Sequence, residues 1–205
     1  MSDKQQHWDK IYSDKTPLEV SWFQAEPTLS LQLIHDSIED PGAAIIDVGG
    51  GASRLVDHLL ERGYNNLAVL DISATAIAQA QQRLAERADQ VEWFVEDITR
   101  FRAPRKFHLW HDRAVFHFLT DEQDCQAYVD TLRQAMESGG DVVIATFDIG
   151  GPQQCSGLDV VQYDADKITG VLGKDFELVE IRHELHQTPG EKTQPFNYFH
   201  FKKIN

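Results

Sequence analysis

Three carboxylates that each close an apolar run, a glycine loop beside the first, and a histidine cluster downstream are the groups with chemistry to offer. The loop is IIDVGGGASR, residues 45–54. Gly49 and Gly51 let the backbone turn sharply and approach a ligand closely, because no Cβ stands in the way. Asp47, just before the glycines, can accept a hydrogen bond from a cationic ligand group. Asp71, in VLDIS and 20 residues after Gly51, is a carboxylate suited to the two hydroxyls of a ribose. Asp97, in VEDIT, can receive an amino group such as that of adenine. Further on, His111-Asp112-Arg113 and then His117 supply acid–base groups. A neutral imidazole is a suitable base for a thiol or hydroxyl near pH 7. Arg113 can pair an acidic substrate group or the neighbouring Asp112. A histidine satisfied within the core is the competing reading for His111, and more so for His117, flanked by Phe116 and Phe118.

The elements that must position these groups follow from the hydrophobic pattern. AAIIDV (43–48) is a continuous apolar run suited to a buried parallel strand, and SRLVDHLLERG (53–63) is helical in its spacing. NLAVLDIS (66–73) is a second strand, followed by a helix over 74–88 with Ser73 placed as its cap. VEWFVEDI (91–98) and KFHLWH (106–111) are strands three and four. A helix is expected over 121–140, ending at Gly139-Gly140, then a fifth strand over 141–147. A short helix over 165–173 precedes two strands, 176–185 and 195–203, joined across a Pro-Gly turn in 186–194. Repeated strand-then-helix units imply one doubly wound α/β domain spanning 1–205, with a core over 43–205. Residues 1–42 are expected to form one or two helices covering the C-terminal edge of the sheet. In such sheets ligands sit beyond the carboxyl ends of the central strands, where all three acids fall.

Composition narrows the ligand and the partners. The chain has 205 residues, 19 Lys+Arg and 33 Asp+Glu, for a formal charge of −14. That balance repels phosphate backbones and argues against nucleic acid as a partner. No apolar stretch approaches the ~18 residues of a membrane helix. The N-terminus lacks the apolar segment of a secretory signal, so a cytoplasmic location is expected. Two cysteines, Cys125 and Cys155, are too few for a disulfide framework or a four-thiolate zinc site. A dinucleotide loop wants a small residue five positions after Gly49, where this chain has Arg54, and no Walker lysine is present. The nicotinamide reading is therefore disfavoured. An acid-rimmed pocket suits a ligand with ribose, adenine and a positive centre.

At this point the chain resembles the class I S-adenosylmethionine-dependent methyltransferases. DVGGG stands at the family's first motif, LDIS at the second and EDIT at the third, with LWHDRAVFHFL and ESGGDVVIATF at the fourth and fifth strands. The resemblance implies a seven-stranded, mostly parallel sheet of order 3-2-1-4-5-7-6, the last strand antiparallel, with an N-terminal helical lid. It implies S-adenosylmethionine as cofactor and S-adenosylhomocysteine as product. It puts Asp47, Gly49 and Gly51 around the methionine part, Asp71 and Ile72 at the ribose, and Asp97 with Ile98 at the adenine. Tyr12, Trp22 and Phe23 become lid residues, Trp22 over the cofactor and the other two toward the acceptor; an apolar face docked on the core explains the same aromatics. The family often has glycine where this chain has Ser53, so the turn there must be tighter or supplemented by a serine hydrogen bond.

Methyl transfer from a sulfonium needs alignment, exclusion of water and, for some acceptors, removal of a proton. His111, Asp112, Arg113 and His117 are the candidates for this work. The glycine-rich segment 148–163 is expected to face the acceptor, with Cys155 either a labile thiol or a packed small side chain. No metal is expected: the pairs His108/His111 and His183/His186 are three apart on strands, which sends them to opposite faces. The chain resembles small bacterial enzymes that S-methylate sulfide and simple thiols, and more distantly the protein-lysine methyltransferases. A small thiol or sulfide is the expected acceptor. A protein lysine is the alternative, and a non-catalytic S-adenosylmethionine-binding module is the alternative of another class. The sequence is silent on oligomeric state.

Overall fold

A computed structural model describes residues 2–204. The first four strands are β1 (Ile45–Val48) and β2 (Leu67–Asp71), apolar runs buried on both faces, the half-buried edge strand β3 (Val91–Val95), and β4 (Phe107–Arg113). Three more follow, β5 (Met136–Phe147), β6 (Phe176–Gln187) and β7 (Thr193–Lys203). They form one sheet in the order β3-β2-β1-β4-β5-β7-β6. β1 to β5 pair in parallel, and β7 runs antiparallel to both β5 and β6. This is the order implied by the resemblance.

Helices cover both faces. On one lie α2 (Thr28–Ser37), α3 (Leu55–Glu61) and α4 (Ala74–Leu84); on the other lie α5 (Glu122–Ala135) and α6 (Ala165–Leu172). The strand residues alternate between the two cores as the pleat requires. Ile45, Val69 and Leu109 pack with Leu31 and Ile34 of α2 and with α3, whereas Ile46, Leu70 and Trp110 pack with Tyr128 and Leu132 of α5. The Ser73 hydroxyl accepts the Ala76 amide at 3.1 Å and caps α4, as its position predicts.

Two expectations are corrected. The helix foreseen over 121–140 stops at Ala135, because Met136 is fully buried and pairs with Phe107 of β4. Ser138, Gly139 and Gly140 are poor helix formers, and Gly139 takes a φ of +77°. The cover is also shorter than 1–42: α2 belongs to a core layer. Only α1 (Asp3–Asp14), a 3₁₀ turn over Pro17–Glu19 and the chain up to Pro27 lie beyond the strand ends. Asp9 of α1 accepts the Ser73 hydroxyl and the Thr75 amide at the start of α4, and Gln79 donates to the Tyr12 carbonyl. Lys4 pairs with Asp124 of α5, so α1 spans from one face's helices to the other's. Among the described residues, no helix is long and apolar enough to cross a membrane.

Candidate functional site

A cavity of about 320 Å³ opens at the carboxyl ends of β1, β2 and β4, under α1. Its size is that of a small-molecule or cofactor site. It is lined by Asp71, Ile72, Asp97 and Ile98 together with Trp8, Tyr12, Trp22, Phe118, Cys155 and Leu158, and Tyr12 lies near enough to Asp71 to feel its charge. The structure thus brings together the acids after β2 and β3 with the N-terminal aromatics.

The glycine loop is shaped by its neighbours. Gly49 has a φ of +71° and donates its amide to the Leu70 carbonyl at 2.7 Å. A Cβ built on it lies 2.0 Å from Cγ2 of Val115, and one on Gly51 lies 2.5 Å from Oδ2 of Asp71. A side chain at either position would force a neighbour to shift. The Ser53 hydroxyl accepts the Leu55 amide at 3.1 Å, which supplies the serine hydrogen bond that a departure from glycine called for. Arg83 of α4 binds both oxygens of buried Asp57 and donates to the Ser53 carbonyl, bracing the loop from behind.

Asp71 is buried, and each of its oxygens takes one backbone amide, from Ser73 at 2.8 Å and from Gly51 at 3.0 Å. Burial outweighs those bonds and pushes its carboxyl up to about 6, helped by the charges of Asp47 and Asp9. Each oxygen keeps a lone pair for a ligand donor. Asp97 binds the Thr99 amide and hydroxyl through Oδ1.

Asp47 lies apart from these. It faces a second, smaller cavity of about 50 Å³, lined also by Ser30, Phe23, Trp22, His111 and Arg113. Its Oδ1 accepts the His111 Nδ1–H at 2.7 Å, while its Oδ2 is buried without a hydrogen-bond partner among the described residues. An unmet carboxylate oxygen of this kind suits a cationic group. Gly49, Trp22 and Arg113 line both cavities.

The histidine cluster separates on the pleat. His111 and Arg113 point to the α2 side of β4, and Asp112 points to the α5 side. Because a carboxylate only accepts, His111 donates Nδ1–H to Asp47, leaving Nε2 to accept the Ser30 hydroxyl at 2.9 Å. Both ring nitrogens are committed, and the Asp47–His111–Ser30 chain is fully buried. Asp112 accepts from Tyr128 Oη at 2.7 Å and from the amides of Val115 and Phe116. Burial raises its carboxyl to about 6, and it holds the turn after β4, where Ala114 takes a φ of +70°. His117 is wholly buried against Phe118 and Phe147, and neither nitrogen has a hydrogen-bond partner among the described residues. Burial, with Arg113 nearby, drives its pKa down to about 3. In this arrangement none of the three reaches the larger cavity as a base. Arg113 does line it, held by Tyr198 Oη at 2.8 Å, the Trp22 carbonyl at 2.9 Å and the Phe196 ring.

Tyr12 is buried in the cavity wall, and Trp22 packs edge-on against both it and Trp8, at 6.1 and 5.7 Å between centroids. Phe23 reaches only the smaller cavity. Cys155 lines the larger one, and burial raises its thiol pKa. Trp8 and Phe118, 5.1 Å apart, were not foreseen as wall residues. Trp8 lies four residues before Tyr12 on one helix, which places both on one face, a signal present in the sequence. Ser30 and Arg83 carried no such signal. Among the described residues, no group of three or more His, Cys, Asp or Glu is placed to hold a metal.

The geometry agrees with what the chain is similar to. Residues 45–140 match the methyltransferase-domain family. Among curated proteins, the eEF1A lysine and N-terminal methyltransferases of Mus musculus and Bos taurus are 25% and 26% identical over 154 residues. Those matches take in 74% of this chain and 21% of the relatives, so the chain spans about a fifth of their length. A protein solved in work on converting a disulfide bond into a thioacetal group during echinomycin biosynthesis superposes with a TM-score of 0.80 at 18% identity, covering 98% of this chain and 92% of that one. The N-methyltransferase NodS of Bradyrhizobium japonicum, solved with S-adenosylhomocysteine, gives a TM-score of 0.70 at 18% identity over the whole of both chains. A methyltransferase of Anabaena variabilis gives 0.76 at 16%, covering 99% and 96%. These structural likenesses establish the fold.

Proposed function

We propose, from the premise that this chain is a class I S-adenosylmethionine-dependent methyltransferase, that its methyl acceptor is a small thiol or sulfide. When bound, S-adenosylmethionine supplies an electrophilic methyl group on a sulfonium. The residues present fit that cofactor: an apolar cavity of cofactor size, a carboxylate with spare lone pairs at Asp71, and glycines where a side chain would force a neighbour to shift. Asp71 and Ile72 hold the ribose, Asp97 and Ile98 the adenine, and the loop with Asp47 the methionine end. Trp22 covers both cavities.

One observation carries the acceptor reading. Apart from its acids, Lys4, Arg113 and Thr120, the cavity wall is aromatic and apolar, and the nearby histidines are committed or sealed off. The carboxylates Glu96 and Asp159 sit at the exposed rim. An acceptor here must bring its own ionised nucleophile. A thiol leaves roughly 3% as thiolate at pH 7, whereas a lysine amine leaves well under about 0.1% uncharged. Arg113 in the wall, although its Nη2 is 3.5 Å from the Glu184 carboxylate, presents a cation that favours a thiolate over an ammonium. The likeness to the protein from echinomycin biosynthesis, whose chemistry is at sulfur, is in keeping with this. An acidic chain with two free cysteines also suits a reducing cytoplasm.

The matched relatives favour protein N-methylation as the second reading. Methyl-labelled cofactor, offered with sulfide, methanethiol, small amines and whole proteome, separates the two. Labelled methanethiol from sulfide, or labelled dimethyl sulfide from methanethiol, is expected; label in amines or protein with none at sulfur overturns the thiol reading. Tight S-adenosylhomocysteine binding with no transfer to any acceptor supports the non-catalytic binding module instead.

A further inference from the structure

The chain between α1 and α2 carries Trp22, yet beyond its 3₁₀ turn it has no regular structure to satisfy its own backbone. The partners come from β4 and from the last two strands of the sheet. His186 of β6 donates Nε2–H to the Ser21 carbonyl at 2.7 Å, and Arg113 donates Nη1–H to the Trp22 carbonyl at 2.9 Å. Gln24 donates to Glu184 of β6 at 2.9 Å, and Glu184 also accepts the Tyr198 hydroxyl of β7 at 3.1 Å. Two consecutive carbonyls are thus gripped from one side and the next turn is tied to the same strand.

We propose that His186, Glu184 and Arg113 form a clamp that positions Trp22 as the partition between the two cavities. Fixing the carbonyls of residues 21 and 22 fixes the direction of the intervening peptide and hence where the indole lies. The indole packs edge-on against Trp8 and Tyr12, so the same grip reaches α1. His186 lines neither cavity and acts only through Trp22; it is a positioning residue. Loss of the grip lets Trp22 leave the partition, merges the cavities and speeds escape of a bound nucleoside. The inference rests on reading the larger cavity as the cofactor site, and not on the identity of the acceptor.

The test uses the full chain labelled with 5-fluorotryptophan, its resonances for Trp8, Trp22, Trp93 and Trp110 assigned by single Trp→Phe changes. His186→Ala and Gln24→Ala are each expected to shift or broaden the Trp22 signal. Trp110, fully buried in the opposite core, stays in place as an internal control. S-adenosylhomocysteine dissociation is expected to quicken about 3- to 10-fold, the effect of losing one hydrogen bond. His186→Gln keeps an N–H donor and is expected to restore both readouts to within about twofold. An unmoved Trp22 signal in both alanine variants overturns the clamp, as does no rescue by glutamine or an equal shift of Trp110. Neither readout uses an acceptor, so failure of the thiol reading leaves the clamp standing, and failure of the clamp leaves the thiol reading standing.

Discussion

Acidification is expected to weaken S-adenosylhomocysteine binding while the ionisation of Asp71 makes the ligand-free protein less stable at neutral pH, and the two effects share one cause. Asp71 is buried with a single backbone amide on each oxygen, and its carboxyl is raised to about 6. In the proposed cofactor site only the carboxylate form of Asp71 can accept both ribose hydroxyls, so the dissociation constant is expected to rise as the group protonates. Between pH 7.5 and pH 5 this amounts to about a tenfold loss of affinity. For stability the sign is opposite. A folded-state pKa raised above the unfolded value gives stability that is fully present below about 3.8 and lost as pH rises through about 6. Over the same interval the term is about 1.4 kcal/mol in favour of the acid side. Asp112 adds a similar term, and His117, whose pKa is lowered, opposes both. The difference between wild type and Asp71→Asn therefore isolates the group. Asp71→Asn is expected to lose about 3 kcal/mol of ligand affinity at pH 7.5, roughly 100-fold, and to abolish the pH slope. Titration calorimetry at pH 5, 6 and 7.5 reads the affinity, and urea unfolding at the same values reads the stability. An affinity flat across this range in wild type, or a slope that persists in Asp71→Asn, refutes the reasoning.

Gly49→Ala is expected to destabilise by about 2–4 kcal/mol, from a left-handed φ and a Cβ set 2.0 Å from Val115 Cγ2. For a chain of this length that is a fall in Tm of about 5–9 °C, and Val115→Ala in the same chain should recover at least about 1 kcal/mol; strict additivity in the double-mutant cycle contradicts the close approach. His117→Leu is expected to leave stability within about 1 kcal/mol of wild type, since it removes two buried nitrogens that have no hydrogen-bond partner among the described residues. Its kcat should stay within about threefold, and a drop beyond about 100-fold in methyl transfer would return His117 to the role of base.

Much of the frame was legible because it depends on local pattern. Apolar runs ending in an acid placed Asp47, Asp71 and Asp97 at strand ends, and Ser73 marked the start of α4. The grouping of His111, Asp112 and Arg113 read less well, although the rule that divides them is local too. Consecutive strand residues face opposite layers, so two of the three turn toward α2 and one toward α5. The end of α5 was missed because the burial of Met136 against β4 outweighs local helix preference there. α2 was taken into the cover because a helix shows its apolar stripe and not the layer that receives it.

What the sequence determined by itself was the alternation of strands and helices, and through it the sheet end at which a ligand must bind. Hydrophobic period, glycine and acid placement are properties of short stretches, and short stretches suffice for them. Tertiary structure alone decided which polar atoms meet. The bond from His111 to Ser30 joins residues 81 apart, and the bond from His186 to Ser21 joins residues 165 apart. No local pattern encodes such contacts: the first exists because α2 packs against β4, and the second because the chain before α2 passes beside β6. The acids were visible one at a time, but the division of Asp71 and Asp47 between two cavities, both lined by Trp22, comes from packing.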